Sequence, residues 1–249
     1  MSKLYDYILL LGDNSLILGH RLSELCGHGP NLETDIALTN ISLDCYGQVR
    51  NYFQYAAKLA DDGKTEDDIA FLRNERQYTN VLLLEQPNTD FAHVIARQFL
   101  FDVYQLALVK QLLNSKDETI SAIANKAIKE VSYHERFSSE WVKRLGDGTE
   151  ISHSKMQDAI NHLYPFVGEL FDESELEKNM REEGIGGDIK TIEKPYFERV
   201  DGLLKEATLE IPEKKWRRCN GKKGMHSENM GYILSELQYM QRAYPNMEW

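Results

Sequence analysis

Ala127-Ile128-Lys129-Glu130-Val131-Ser132-Tyr133-His134 is the stretch on which the fold turns. It lies in a run from about Glu118 to Leu145 whose apolar residues Ile120, Ile123, Ala127, Phe137 and Trp141 recur at helical spacing, so the run reads as a helix that buries one face. Glu130 interrupts that face. Three other runs carry the same interruption: Asp44 continues the face of Ala37 and Ile41, Glu75 follows Leu72, and Asp102 lies between Phe99 and Leu106. The four carboxylates stand about 30 residues apart, a spacing that lets antiparallel helices with short connections bring comparable depths together. Buried like charges repel and lose hydration, so such a cluster needs a metal, protons or hydrogen-bond donors.

Working outward, the remaining chain divides into further amphipathic runs. The first carries Leu4, Ile8, Leu11, Ser15, Leu18, Leu22 and Leu25 and ends before Gly27-His28-Gly29-Pro30. The second starts near Thr34, a plausible cap, and the third spans about Asp67 to Gln86 with Leu72, Tyr78, Leu82 and Gln86 as its stripe. The fourth runs from about Phe91 to Leu113. A sixth, with Met156, Ile160, Leu163, Val167 and Leu170, is expected to bend at Pro165. A seventh begins near Ile192 with Pro195 in its first turn, and an eighth carries Met230, Ile233, Leu237 and Met240. The expected architecture is all-α: one domain over 1–249, with a core bundle at about 34–145 and additional helices at about 1–26 and 151–244.

Composition narrows the function. The formal charge is −11, from 29 basic and 40 acidic residues, with no basic run fit to follow a phosphate backbone, which argues against nucleic acid as a partner. Cys26, Cys45 and Cys219 are far apart and form neither a disulfide framework nor a thiolate metal site. The densest apolar stretch, Val81 to Leu84, is far too short to cross a bilayer, and no secretory leader is evident, so the expected location is the cytoplasm, with no membrane partner.

A carboxylate-bridged two-metal site in a helical bundle takes one glutamate from each of two helices and Glu-x-x-His from each of the other two. Here Asp44 and Asp102 fill the single places, and Glu75-Arg76-Gln77-Tyr78 and Glu130-Val131-Ser132-Tyr133 fill the paired ones. Both histidines are replaced by tyrosine. A neutral phenol is a poor substitute for imidazole, because it must lose a proton at a reference pKa near 10 to become a good ligand. His134, four residues after Glu130, is still near the same face. Glu75, Asp102, Glu130 and His134 together could hold a single ion, but His134 as a hydrogen-bond partner of an acid is the simpler reading. The expectation is a degenerate former metal site of Asp44, Glu75, Tyr78, Asp102, Glu130, Tyr133 and His134, with no catalytic residue and no bound metal.

The sequence resembles, over nearly its whole length, the ferritin-like, non-catalytic component of bacterial phenylacetyl-CoA epoxidases. The resemblance is carried by Leu11-Gly12-Asp13-Asn14, Asn74-Glu75-Arg76-Gln77-Tyr78, Ala127-Ile128-Lys129-Glu130 with Tyr133-His134, and Gly221-Lys222-Lys223-Gly224 followed by His226 and Glu228. It implies a structural subunit without a cofactor of its own, in a hetero-oligomer with a related catalytic subunit and the other components of the complex. In that family iron sits in the catalytic subunit, and a reductase with flavin and iron-sulfur centres draws electrons from NADPH. The complex converts phenylacetyl-CoA to its 1,2-epoxide in aerobic phenylacetate degradation. Lys222, Lys223 and His226 are then candidates for contact with coenzyme A or a partner subunit, although two lysines between glycines are more often a solvated loop. The alternative on the residues alone is an autonomous metal-dependent oxidase or oxygenase using the altered carboxylate cluster.

Overall fold

Side-chain caps set where most of the helices begin. The computed structural model describes residues 2–245 and 247. Ser2 caps α1 (Lys3–Ser23), and Asn31 caps α2 (Leu32–Ala60) by accepting from the Thr34 amide at 2.9 Å. The start of α2 expected at Thr34 therefore moves to Asn31, and Thr34 is buried in the first turn. A Thr65–Asp68 capping box opens α3 (Glu66–Phe71). Asp90 caps α4 (Phe91–Leu112), Asp117 caps α5 (Glu118–Gly146) and Thr149 caps α6 (Glu150–Leu163). There follow α7 (Glu175–Glu182), α8 (Ile189–Glu206), α9 (Asn229–Leu237) and α10 (Tyr239–Ala243). Among the described residues the one β-type pairing is an isolated bridge between Asn220 and Met225. The fold is all-α and of the ferritin-like kind, with additional helices toward the carboxyl end.

Two compact units emerge. One joins residues 1–85 to 220–249, and its α1 and α2 pack along each other. Every residue of α1 from Tyr7 to Leu22 is buried, and Tyr52, Phe53 and Ala56 of α2 add to this core. Gly12 is required at the helix contact: a Cβ there would lie 2.4 Å from the Phe53 ring. The other unit, 86–219, is built on the α4–α5 pair with α6 and α8 packed against both. Its core holds Phe99, Phe101, Tyr104, Tyr164 and Tyr196.

Four expected helices come out differently. The run 67–86 is not one helix: after α3 it becomes a 3-10 turn at Glu75–Gln77, an extended Tyr78, and a second 3-10 turn at Leu82–Glu85. The reason is competition from α1. The amides of Thr79 and Val81 donate to the Asp13 and Asn14 side chains at 2.8 and 3.0 Å, and so are lost to an α-helical ladder. The sixth helix stops at Leu163, and Pro165 directs Tyr164–Phe171 into 3-10 turns. The seventh starts at Ile189, so Pro195 falls inside α8; it is exposed, where water can reach the carbonyl whose donor it removes. In the eighth run Met240, expected on the buried stripe, is exposed on α10.

The outer face of α2 is unusual. Leu32, Ile36 and Leu43 are 71%, 52% and 61% exposed, and their spacing places them on one strip of the helix.

Candidate functional site

The expected carboxylates meet different fates. Asp102 on α4 is buried and accepts from Gln98 Nε2 at 2.6 Å and Ser138 Oγ at 2.8 Å, one bond to each oxygen. Burial pushes its carboxyl up to about 7, against the pull of His134, Ser138 and Gln98. His134 on α5 is buried, so the structure brings these two residues together. Glu130 is half-buried on the same helix. Tyr133 is 38% exposed and packs against Phe137, with the Arg136 guanidinium 5.8 Å from its ring centre.

Asp44 is half-buried on α2, and Glu75 is exposed in its 3-10 turn. Tyr78 does not share a helical face with Glu75, because the turn ends at Gln77. Its side chain is fully buried: the hydroxyl donates to Ala70 O at 2.7 Å and accepts from Gln238 Nε2 at 2.8 Å, and burial raises it to about 12. Both oxygens of Asp102 thus take protein donors, the tyrosine after Glu130 turns outward, and the one after Glu75 is a committed phenol. These residues do not fit a carboxylate-bridged dinuclear centre, which needs free carboxylate oxygens and imidazoles on one face.

A different constellation gathers the sequence motifs in the unit of residues 1–85 and 220–249. Asp13 is fully buried on α1 and forms a two-point ion pair with Arg73, one contact being Nη1 to Oδ2 at 3.0 Å and the other Nη2 to Oδ1. The guanidinium also donates to Ile69 O and Gln77 O at 2.6 and 2.9 Å and lies 4.1 Å from the Tyr78 ring centre. Its pKa is raised, since Asp13 outweighs the effect of burial. Asp13 takes two further bonds from the Thr79 amide and hydroxyl.

A second buried carboxylate, Glu85, closes the other side. It accepts from Asn80 Nδ2 at 2.9 Å, His226 Nδ1 at 2.6 Å, and the Ser227 amide and hydroxyl at 2.8 and 2.6 Å. His226 Nε2 donates to Tyr78 O at 2.9 Å. With both ring nitrogens on acceptors, His226 is held as the imidazolium: burial lowers its pKa, but Glu85 reverses this and the net shift is upward. Gly224 turns the chain here with φ 70°, and a Cβ would lie 2.3 Å from Arg76 O. Lys222 and Lys223 occupy the 3-10 turn Gly221–Lys223, half-buried and exposed respectively.

Asp13, Asn14, Arg73, Glu85 and Gln238 carry this network, and spacing arguments about a metal site did not find them as partners. The signal was present: Asp13-Asn14 interrupts the apolar run of the first helix, and a charge there must have a partner. Chemically the network is closed. Every carboxylate in it faces a cation or an amide, an arrangement that joins segments and leaves no exposed group for reaction.

Fold and site therefore define an all-helical, ferritin-like scaffold whose interior charges are matched to one another. The chain belongs to the phenylacetic acid catabolic protein family, whose profile matches residues 1–249. It is 49% identical over 249 residues to the C component of the 1,2-phenylacetyl-CoA epoxidase of Escherichia coli (strain K12), with 100% of each chain covered.

Proposed function

We propose that this chain is the non-catalytic structural subunit of a phenylacetyl-CoA 1,2-epoxidase complex, supporting a related di-iron catalytic subunit in aerobic phenylacetate degradation. The observation that carries this is the full-length identity of 49% to a relative named as the C component of that enzyme. The donor set agrees: Asp102 bonded to Gln98 and Ser138, with tyrosines at the third position after Glu75 and Glu130, suits a scaffold without an oxygen-activating centre. Iron then belongs to the catalytic partner, and NADPH, flavin and iron-sulfur centres to a reductase. A cytoplasmic location accords with this role, and among the described residues no helix is long and apolar enough to cross a membrane.

The Leu32-Ile36-Leu43 strip of α2 is our candidate for the apolar part of the partner contact, since burying such side chains supplies association energy. In the loop after Asn220, Lys223 is the exposed side chain for a coenzyme A phosphate or an acidic partner residue, while His226 is committed to Glu85. Coexpression of the tagged chain with its ferritin-like catalytic partner tests the proposal. The two should copurify as a defined complex, and epoxidation of phenylacetyl-CoA with reductase and NADPH should need both. Consistent failure to associate, or full activity of the catalytic subunit alone, would overturn it.

A further inference from the structure

We propose that His20, Glu24 and Glu236 form a mononuclear site for a divalent ion of the zinc type, which ties the carboxyl end of α1 to α9. His20 lies in the last turn of α1 and is 9% exposed. Its Nε2 atom is buried and has no hydrogen-bond partner, which is unusual for an imidazole inside a protein. That nitrogen faces two carboxylates, Glu24 Oε1 at 3.8 Å and Glu236 Oε2 at 3.9 Å, distances too long for hydrogen bonds. One ligand atom from each of the three residues lies within 4.8 Å of the others.

The chemistry of the set selects the ion. One imidazole nitrogen and two carboxylate oxygens suit zinc, with water completing a four-coordinate site, whereas magnesium favours oxygen ligands alone. Zinc bonds of about 2.0–2.1 Å place tetrahedral ligand atoms about 3.3–3.4 Å apart, so each His20–glutamate separation must close by about half an ångström and the separation between the two carboxylates by up to about 1.5 Å. The Glu236 side chain is 69% exposed and has the freedom to make that adjustment. Arg21 fixes Glu24: Nη1 donates to both carboxylate oxygens at 3.0 and 3.1 Å, and Nη2 to Glu85 O at 2.7 Å. The arginine orients this carboxylate as outer partners of metal ligands do. The site is separate from the Glu-x-x-Tyr positions and supplies no second metal for oxygen chemistry. It acts as a clip between helices.

The test uses the full chain with Cys26→Ser, because that exposed thiol would also take up zinc. After removal of metal with a chelator, zinc is titrated by calorimetry, and thermal unfolding is followed with and without zinc. We expect one equivalent bound and a rise in Tm, with no response to magnesium. Glu236→Gln, at an exposed position, should leave the metal-free Tm unchanged, weaken zinc binding at least about tenfold, and remove most of the Tm rise. His20→Gln should do the same to binding. Absence of stoichiometric zinc binding, or binding by Glu236→Gln as tight as in the parent, would overturn the proposal.

Discussion

Asp13 and Arg73 show what a buried charge demands of its surroundings. Removing the cation alone leaves a fully buried carboxylate with only the Thr79 donors, so Arg73→Ala should destabilise the protein by about 3–5 kcal/mol in urea unfolding. Combining Arg73→Met with Asp13→Asn should recover a large part of that loss, since neither partner is then left charged and alone. Asp102 makes the opposite case, a carboxyl that folding encourages to take a proton. Its folded pKa, about 7, lies above the ordinary 3.8, so the folded state binds the proton more tightly. Its share of stability is complete below pH 3.8 and is lost as pH rises toward 7. Asp102→Asn, which retains hydrogen-bonding capacity toward Gln98 and Ser138, should flatten the fall in stability across that window, as measured by urea midpoints at a series of pH values.

Among the elements, the long helices were legible because their apolar stripes persist over many turns and their caps are local. Glu118–Gly146 was expected within one residue of its observed ends, and its capping Asp117 needs no distant partner. The run 67–86 was misread because its backbone donors go to Asp13 and Asn14, more than 60 residues away in sequence, and no local pattern reports that. The same distance hid the candidate site. Asp102 and His134 were found together because each lies on a regular helix, whereas Glu85 gains its meaning only from His226 and Ser227. The loop after Asn220 offers a direct probe, because Lys222-Lys223 is a tryptic site beside the constrained Gly224. Gly224→Ala combines a left-handed backbone with a clash at Arg76 O, and should make cleavage at these lysines several-fold faster. In the parent protein the His226 contribution is complete below pH 6.5 and is lost as pH rises through its raised folded value, so the loop should open more readily on the alkaline side.

For the whole molecule, the net charge of −11 and the exposed apolar strip on α2 suit the partner contact proposed above. Leu43→Glu, at an exposed position, should leave the unfolding midpoint within about 0.5 kcal/mol of the parent yet weaken association with the catalytic subunit in copurification. Equal recovery of partner by this variant would move the contact elsewhere. The bond from Ser227 to Glu85 has one more consequence, for synthesis. The first 85 residues leave the ribosome with Glu85 lacking the imidazole and serine that neutralise it, and the intervening unit, 86–219, must be made before those groups exist. At ordinary translation rates that interval is on the order of ten seconds, long enough for 86–219 to form its own core first. The segment made first is thus the last to be completed, and a nascent chain stalled short of residue 226 should be a client for chaperones.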